Sequence, residues 1–293
     1  EVDNLFYNFT TTSRRLRLST ITGQVGAGVL ALGTAFTPAT NEWASSEQLT
    51  FLGGLAPQLN SPFNIFNWDS SINNVVFRNG NLWLAHTVFL PATVPTHCAV
   101  QWWQVNTNGA ALQFGRIEDT VAHFATPSIA VNRNEDVLIG FSRFSSFQFA
   151  SANYAFRSCL DVPGTMRGDA VLKDGEAPFA PLAGFIINPW SVYSATTVDP
   201  LNDTHLWTIQ QYALSQTNLG GFLVDRWGTW WGVVQPTESC FRINFLSSFY
   251  NVNEATPGLA TIRVLNLGGA PGTVDFATSD GTAEARNHLA KSI

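Results

Sequence analysis

The feature that most constrains this chain is a repeated pattern of short apolar segments separated by polar turns. Long stretches with helical spacing are absent from the sequence, and Asn, Asp, Gly and Pro interrupt the apolar runs. Regularly spaced short strands with turn signals between them are typical of sandwiches, barrels and propellers. The sequence therefore predicts an all-β protein.

Three segments share one plan, and they align when Val76, Val131 and Val198 are taken as equivalent. Each has a strand of small residues, a turn rich in Asn and Asp, and a strand of apolar and aromatic residues. Two further strand-like runs follow each segment: 98–105 and 111–117, 147–157 and 170–173, and 222–226 and 228–234. Four strands per unit is the composition of a propeller blade.

The repeats predict a β-propeller-like domain over residues 1–238. At least one less regular unit precedes them, with strand-like runs at 16–21, 28–36 and 48–52, so we expect about four or five blades in a complete or incomplete ring. The 22 Phe and 10 Trp residues fit this fold, because large rings fill the wide outer part of each wedge between neighbouring sheets. The sequence pattern changes in residues 239–293, and these residues form a second predicted domain.

The second domain carries an ordered set of short motifs. These are a Tyr-x-Val-x-Glu run at 250–254, Gly268-Gly269, a Val-x-Phe-x-Thr strand at 274–278, and Asp-Gly-Thr-Ala at 280–283. In this order they resemble the first half of a Calx-β domain, over about the last fifty residues. The resemblance implies a partial antiparallel β-sandwich.

Members of the Calx-β family often bind Ca²⁺ with carboxylates from several loops, and the resemblance carries one metal position over, Glu254. The family's Asp-Tyr after the Asp-Gly-Thr-Ala motif is replaced by His288-Leu289. Ca²⁺ takes six to eight oxygen ligands, so this segment alone does not complete a site. No other cofactor is predicted.

The repeats themselves resemble propeller segments found beside Calx-β modules in large secreted bacterial proteins. The resemblance rests on residues 193–200 and 227–232, while 189–192 departs from the Arg-Trp-Gly-Asp of relatives. It implies a secreted or cell-surface location. The start at Glu1 fits removal of a leader or of a longer upstream part.

Charge and hydropathy exclude two classes of partner. Charged residues make up 12% of the chain, against about 25% in typical globular proteins, and the net charge is −6. The one tight basic group, Arg14, Arg15 and Arg17, falls short of a nucleic-acid footprint. No apolar run approaches the roughly 18 residues of a membrane-spanning helix. We therefore expect neither nucleic-acid binding nor a transmembrane segment.

The three cysteines, Cys98, Cys159 and Cys240, form no CxxC pair, so a zinc site is not expected. One disulfide with one free thiol and three buried thiols both fit the sequence, and the sequence does not choose among the three pairings.

Polar residues recur within the second strands of the repeats. Alignment of Leu82, Val137 and Leu206 places His86, Phe141 and Gln210 at one repeat position and Thr87, Ser142 and Gln211 at the next. Such positions either line the channel mouth, where propellers bind ligands, or hold ordered water. The candidate ligand-binding residues at this mouth are His86, Arg143, Gln210, Gln211, Trp190 and Tyr193.

The sequence favours a non-catalytic surface or adhesion module that presents a propeller face to a glycan or protein partner. It contains no HExxH or GxSxG motif, and no catalytic residue is predicted. The alternative is a secreted polysaccharide-active hydrolase or lyase, since fold alone does not exclude one. A purely structural repeat array is a third interpretation.

The unfinished sandwich predicts an exposed sheet edge over residues 260–293. Open edges pair readily with other chains. We expect this segment to be covered by a neighbour or poorly ordered.

Overall fold

The computed structural model describes residues 12–13, 16–23, 26–36, 43–44, 55–182, 187–237, 243–245 and 264–266. These residues form strands and loops and contain no helix, which confirms the all-β prediction. The chain divides into two compact units, Glu1–Pro236 and Thr237–Ile293.

The described strands range from two to fourteen residues in length. In the first unit they are β1 (Thr12–Ser13), β2 (Leu16–Thr22), β3 (Val29–Phe36), β4 (Trp43–Ala44), β5 (Asn64–Phe66), β6 (Val75–Arg78), β7 (Asn81–Leu90), β8 (His97–Asn106), β9 (Ala111–Ile117), β10 (His123–Val131), β11 (Val137–Ser145), β12 (Gln148–Arg157), β13 (Ala170–Lys173), β14 (Ile187–Pro189), β15 (Ala195–Val198), β16 (Leu206–Leu219) and β17 (Phe222–Val234). In the second unit, β18 (Ile243–Phe245) pairs antiparallel with β19 (Val264–Asn266).

The first sheet is an antiparallel meander of β6, β7, β8 and β9, which matches the four strands predicted for the first repeat. The β6–β7 hairpin closes through Asn79-Gly80, whose φ angles of 48° and 77° are those of a two-residue type I′ turn. β4 pairs with β7 through Ala44 and Phe89, and β1 pairs with β4. The first repeat is thus confirmed as one sheet, with β4 and β1 extending it.

The second sheet repeats the meander with β10, β11, β12 and β13. Every residue of β10 is buried, as expected of a strand with sheets packed on both sides. The register of β10 against β11 shifts between Ala125 and Ser128, and this irregularity falls at the cleft described below.

The third sheet contains β15, β16 and β17, so the described residues give it three strands rather than the predicted four. The predicted runs 222–226 and 228–234 are one continuous strand, β17, so the predicted break at Trp227 is wrong. Gly228 lies opposite Tyr212, where an added Cβ would be 2.9 Å from the Tyr212 ring. The glycine therefore makes room for an aromatic ring within the strand.

The first turn of each repeat carries one non-glycine residue in the left-handed region: Asn79, Glu135 and Asp203. These turns contact one another. The Asn79 amide donates to the Arg133 carbonyl at 3.1 Å, and Arg78 forms an ion pair with Asp203. Each of the three turns therefore reverses the chain through a left-handed residue, and these turns lie close to one another.

Successive sheets pack face to face. Trp83 and Trp102 of the first sheet meet Ile129 and Ile139 of the second in one buried cluster. Alternate side chains point to opposite faces of a strand, so Leu138 packs on the other side of the second sheet, against Leu206 of the third. Each of these interfaces removes apolar surface from water, which stabilises the fold by about 25 cal/mol per Å² of buried area.

Other predictions have mixed outcomes. The run 16–21 lies in β2 and 28–36 largely in β3, and these two strands pair, whereas 48–52 lies outside the described residues. Cys98 is a buried thiol outside any disulfide and Cys159 is disulfide-bonded, so the alternative of three buried thiols is wrong. Most of the predicted edge at 260–293 also lies outside the described residues.

Candidate functional site

A cleft of about 200 Å³ opens where the first strands of the three sheets come together. It is lined by Asn67, Trp68, Asp69, Ser71, Asn73, Thr87, Thr126, Pro127, Val192 and Tyr193. The residues five positions before the aligned valines at 76, 131 and 198 are Ser71, Thr126 and Tyr193, and all three line this cleft. One repeat position therefore converges on one recess.

The floor of the cleft is a buried hydrogen-bonded group. The Thr126 amide donates to Thr87 Oγ1 at 3.0 Å, and Thr126 Oγ1 donates to Ser142 Oγ at 3.4 Å. The Trp190 indole also donates to Ser142 Oγ at 2.9 Å. Thr87 and Ser142, which sequence alignment placed at one repeat position, thus meet around Thr126.

Trp68 forms one wall of the cleft, with its ring fixed but accessible. Its Nε1 donates to the Trp190 carbonyl at 2.7 Å, and its ring lies 5.3 Å from that of Phe66. The side chain nevertheless remains 42% exposed. A large apolar ring held in place at the surface offers contact area with little loss of rotamer entropy on binding.

The backbone at the cleft adopts uncommon conformations. Trp68 has a φ of 64° and Thr126 a φ of 54°, and for a bulky or β-branched residue a positive φ is a clear outlier. Such strain costs about 1–3 kcal/mol at each residue and is concentrated in proteins at ligand sites. The fold therefore holds these two residues in place against their local preference.

Tyr193 and Trp190, both predicted site residues, have different environments. Tyr193 is 74% exposed at the rim of the cleft. Trp190 is buried, with its ring edge-on to Phe144 and Phe179 at 5.5 and 5.0 Å. Tyr193 is accessible to a ligand, and Trp190 supports the cleft from behind through Ser142 and Trp68.

His86 is fully buried and does not line the cleft. Its Nε2 accepts a hydrogen bond from Trp103 Nε1 at 3.1 Å, and the Trp43 ring meets it edge-on at 5.3 Å. Burial lowers the pKa of His86 to about 3, because the charged imidazole would lose its hydration. The residue is a neutral core acceptor.

Arg143 also lies away from the cleft lining. Its guanidinium pairs with Asp169 at 3.3 Å, hydrogen-bonds Gln148 and lies 5.9 Å from the centre of the Phe124 ring. Its donors serve contacts within the second sheet and its loops.

Gln210 belongs to the interface between the second and third sheets. Its Nε2 donates to Thr208 Oγ1 at 2.8 Å and to Ser128 Oγ at 3.2 Å. Gly140 allows this approach, since a Cβ there would lie 2.1 Å from Gln210 Nε2. Gln211 is buried opposite Thr229. Neither glutamine lines the cleft.

Sequence reasoning missed the strongest features of the cleft, which are Trp68 and its neighbours Asn67 and Asp69. A signal was present, because an aromatic residue between Asn and Asp in a loop is not explained by a strand pattern.

Metal binding and membrane insertion gain no support from the part of the chain that the structure describes. No group of His, Cys, Asp and Glu there has the arrangement of a metal site, and Glu254 lies outside that part, so Ca²⁺ binding stays a prediction. None of the described residues belongs to a helix with the length and hydropathy of a bilayer crossing.

No protein-family model, curated protein or solved structure matches this chain. Its function must therefore be inferred from the geometry of the cleft and from the residues that form it.

Proposed function

We propose that the protein is a non-catalytic, extracellular carbohydrate-binding module whose sugar site is the cleft beside Trp68 and Tyr193. The observation that carries this proposal is the fixed, exposed indole of Trp68 above a recess lined by amide, hydroxyl and carboxylate groups. A pyranose ring has the complementary chemistry, with an apolar C–H face for the indole and hydroxyls for the polar lining.

The three sheets are proposed to be successive blades of a β-propeller, with the cleft near the axis. Their consistent face-to-face packing supports this arrangement. Convergence of Ser71, Thr126 and Tyr193 also supports it, since equivalent positions in a propeller meet around the axis.

The polar groups of the cleft favour binding over catalysis. Among its described lining residues Asp69 is the one carboxylate, whereas glycosidases use two carboxyl groups about 5–10 Å apart. The Asp69 Oδ1 already accepts a hydrogen bond from the Ser71 amide at 2.8 Å. The lining residues that the structure describes include no Lys or Arg, so we expect neutral sugars rather than uronates.

An extracellular location is supported by three features. Cys159 is disulfide-bonded, and such bonds persist mainly in oxidising compartments. The low content of charged residues and the resemblance to secreted bacterial propeller segments agree with it.

A glycan array combined with reducing-sugar assays on the same polysaccharides tests the proposal. We expect binding to neutral glycans, no release of reducing ends, loss of binding in Trp68→Ala and retained binding in Trp227→Ala, which removes an exposed indole elsewhere. Turnover would establish the alternative, a hydrolase or lyase. Absence of binding, or equal binding by both variants, would refute the proposed site.

A further inference from the structure

A second pocket lies between two loops of the first unit and the hairpin of β16 and β17. Its volume is about 460 Å³, within the range of about 300–1,000 Å³ that is usual for small-ligand sites. One loop contributes residues 60–63 and the other contributes residues between 178 and 181. The apolar part of the lining comes from all three segments: Pro62, Phe63, Pro178, Pro181, Leu223 and Val224.

Hydrogen bonds fix the two loops to each other and to the hairpin. The buried Gln58 side chain joins the loops, because its Nε2 donates to the Phe63 and Phe179 carbonyls at 2.9 and 2.8 Å. Its Oε1 accepts a hydrogen bond from the Phe179 amide at 2.7 Å. The Ala180 amide donates to Asp225 Oδ2 at 2.7 Å, which joins the second loop to β17. The pocket is therefore preformed, so a ligand loses little affinity to ordering it.

Asp225 is the one charged residue among the described residues that line this pocket. A β-bulge places Ser215 and Gln216 opposite it, because the register of β16 against β17 shifts between Leu214 and Thr217. The Gln216 amide donates to Asp225 Oδ1, so each carboxylate oxygen accepts one hydrogen bond from the protein. An ionised carboxylate has about four acceptor positions, and two of them therefore stay available to a ligand.

In the part of the chain that the structure describes, no cation pairs with this carboxylate. None of the ion pairs there includes Asp225. The next residue, Arg226, points to the opposite face of the strand, and its Nε donates to the Ser215 carbonyl at 3.0 Å. Lys173 is paired with Glu176 at 2.9 Å. A half-buried carboxylate without a cation favours a ligand that supplies one.

We propose that this pocket binds a primary alkylammonium group, with the cation on Asp225 and the methylene chain against the apolar wall. An ammonium is a compact charge with three N–H donors, which the open acceptor positions of the carboxylate match. Phe63 adds an aromatic ring to the same lining, and ring faces attract cations. A free alkylamine and the lysine side chain of a polypeptide share this chemistry. The site goes beyond the proposed sugar binding and lies in a different pocket.

Ligand-observed NMR titration of the full chain tests this proposal. The probes are n-pentylamine and Nα-acetyl-lysine methylamide, and Nα-acetyl-norleucine methylamide is the matched analogue that lacks the ammonium. We expect both amines to bind at least about 10-fold more tightly than the norleucine derivative, because hydrogen bonds between charged groups are the strong ones. Tighter binding of the lysine derivative than of pentylamine would identify a polypeptide lysine as the ligand, and any other order a free amine.

Two variants separate recognition by Asp225 from a general effect of charge. Asp225→Asn keeps an acceptor for the Ala180 amide, and Gln216 can turn its carbonyl towards the new NH₂ group, so the loop stays joined to β17. This variant should bind the amines about 10-fold or more weakly than the wild type. Glu118→Gln is the matched control, because it removes the same charge from a residue outside the pocket lining and should leave amine binding unchanged.

Phe63→Leu gives a second readout that leaves the carboxylate in place. It keeps an apolar side chain but removes the ring, so the amines should bind about 2- to 5-fold more weakly. Circular dichroism verifies that each variant folds. No amine binding at millimolar concentrations, equal binding of the norleucine derivative, or equal losses in Asp225→Asn and Glu118→Gln would overturn the proposal. Trp68→Ala should bind the amines like the wild type, so a failure of the sugar site is recognised separately.

Discussion

Replacing Gly140 with alanine tests the close packing between the second and third sheets. A Cβ at this position would lie 2.1 Å from Gln210 Nε2 and 2.2 Å from Thr208 Oγ1. Overpacking of this kind costs about 1–3 kcal/mol. Moving the Gln210 amide also weakens its bonds to Thr208 and Ser128, at about 0.5–1.5 kcal/mol each. The expected loss is thus about 2–6 kcal/mol of unfolding free energy.

Thermal unfolding followed by circular dichroism measures this loss. For a unit of this size the melting temperature falls by about 2–4 °C per kcal/mol, so Gly140→Ala is expected to melt roughly 5–20 °C below the wild type. Gly168→Ala is the matched control, because a Cβ at Gly168 meets no atom within 4 Å. It should leave the melting temperature almost unchanged.

A double-mutant cycle separates this contact from a general effect of alanine on the strand. Gln210→Ala removes the amide that the new Cβ would strike, so the double variant should lose less stability than the sum of the single changes, by about 1 kcal/mol or more. Additive losses, or a Gly140→Ala melting temperature equal to that of Gly168→Ala, would refute this packing.

Three further predictions concern the core, the turns and the thiol. Burial lowers the pKa of His86 from its ordinary 6.5 to about 3 in the folded protein. The contribution of neutral His86 to the free energy of unfolding is therefore fully present above about pH 6.5 and is lost as the pH falls towards 3. In that window His86→Gln should reduce the pH dependence of the free energy of urea unfolding by up to about 1.4 kcal/mol per pH unit. Asn132→Ala should lower the free energy of unfolding by about 2–4 kcal/mol, since the buried side-chain amide makes four hydrogen bonds. In the same assay Asp203→Asn should lower it by less than about 1 kcal/mol, because the ion pair with Arg78 is partly exposed. Cys98 should resist a thiol reagent in the folded protein and react after unfolding without reductant, and reaction in the native state would contradict its burial.

Local sequence signals predicted the hairpins well. The Asn79-Gly80 turn and the strand around Val76 are specified by residues that are close together in the sequence. The hairpins that contain Val131 and Val198 are also formed by neighbouring segments of the chain. Strand continuity through Trp227 and Gly228 was not predictable in this way, because the reason for a glycine at 228 is its contact with Tyr212 on another strand.

The sequence predicted the candidate site less well than it predicted the hairpins. Its recess forms where loops around Trp68 and Tyr193 meet Thr126, and these residues are far apart in the chain. Repeat alignment identified polar positions on the second strands, but the side chains of His86 and Gln210 form hydrogen bonds with buried partners in the core. Periodicity indicates which residues are equivalent, while tertiary packing decides which of them face a ligand.

Titration calorimetry with the oligosaccharide selected on the array tests the central claim most directly. Removing an aromatic stacking surface costs about 1–3 kcal/mol, so Trp68→Ala should bind about 5- to 150-fold more weakly than the wild type. Its melting temperature should stay close to the wild-type value, because the ring is 42% exposed. Wild-type affinity in Trp68→Ala would contradict the assignment of this cleft as the sugar site.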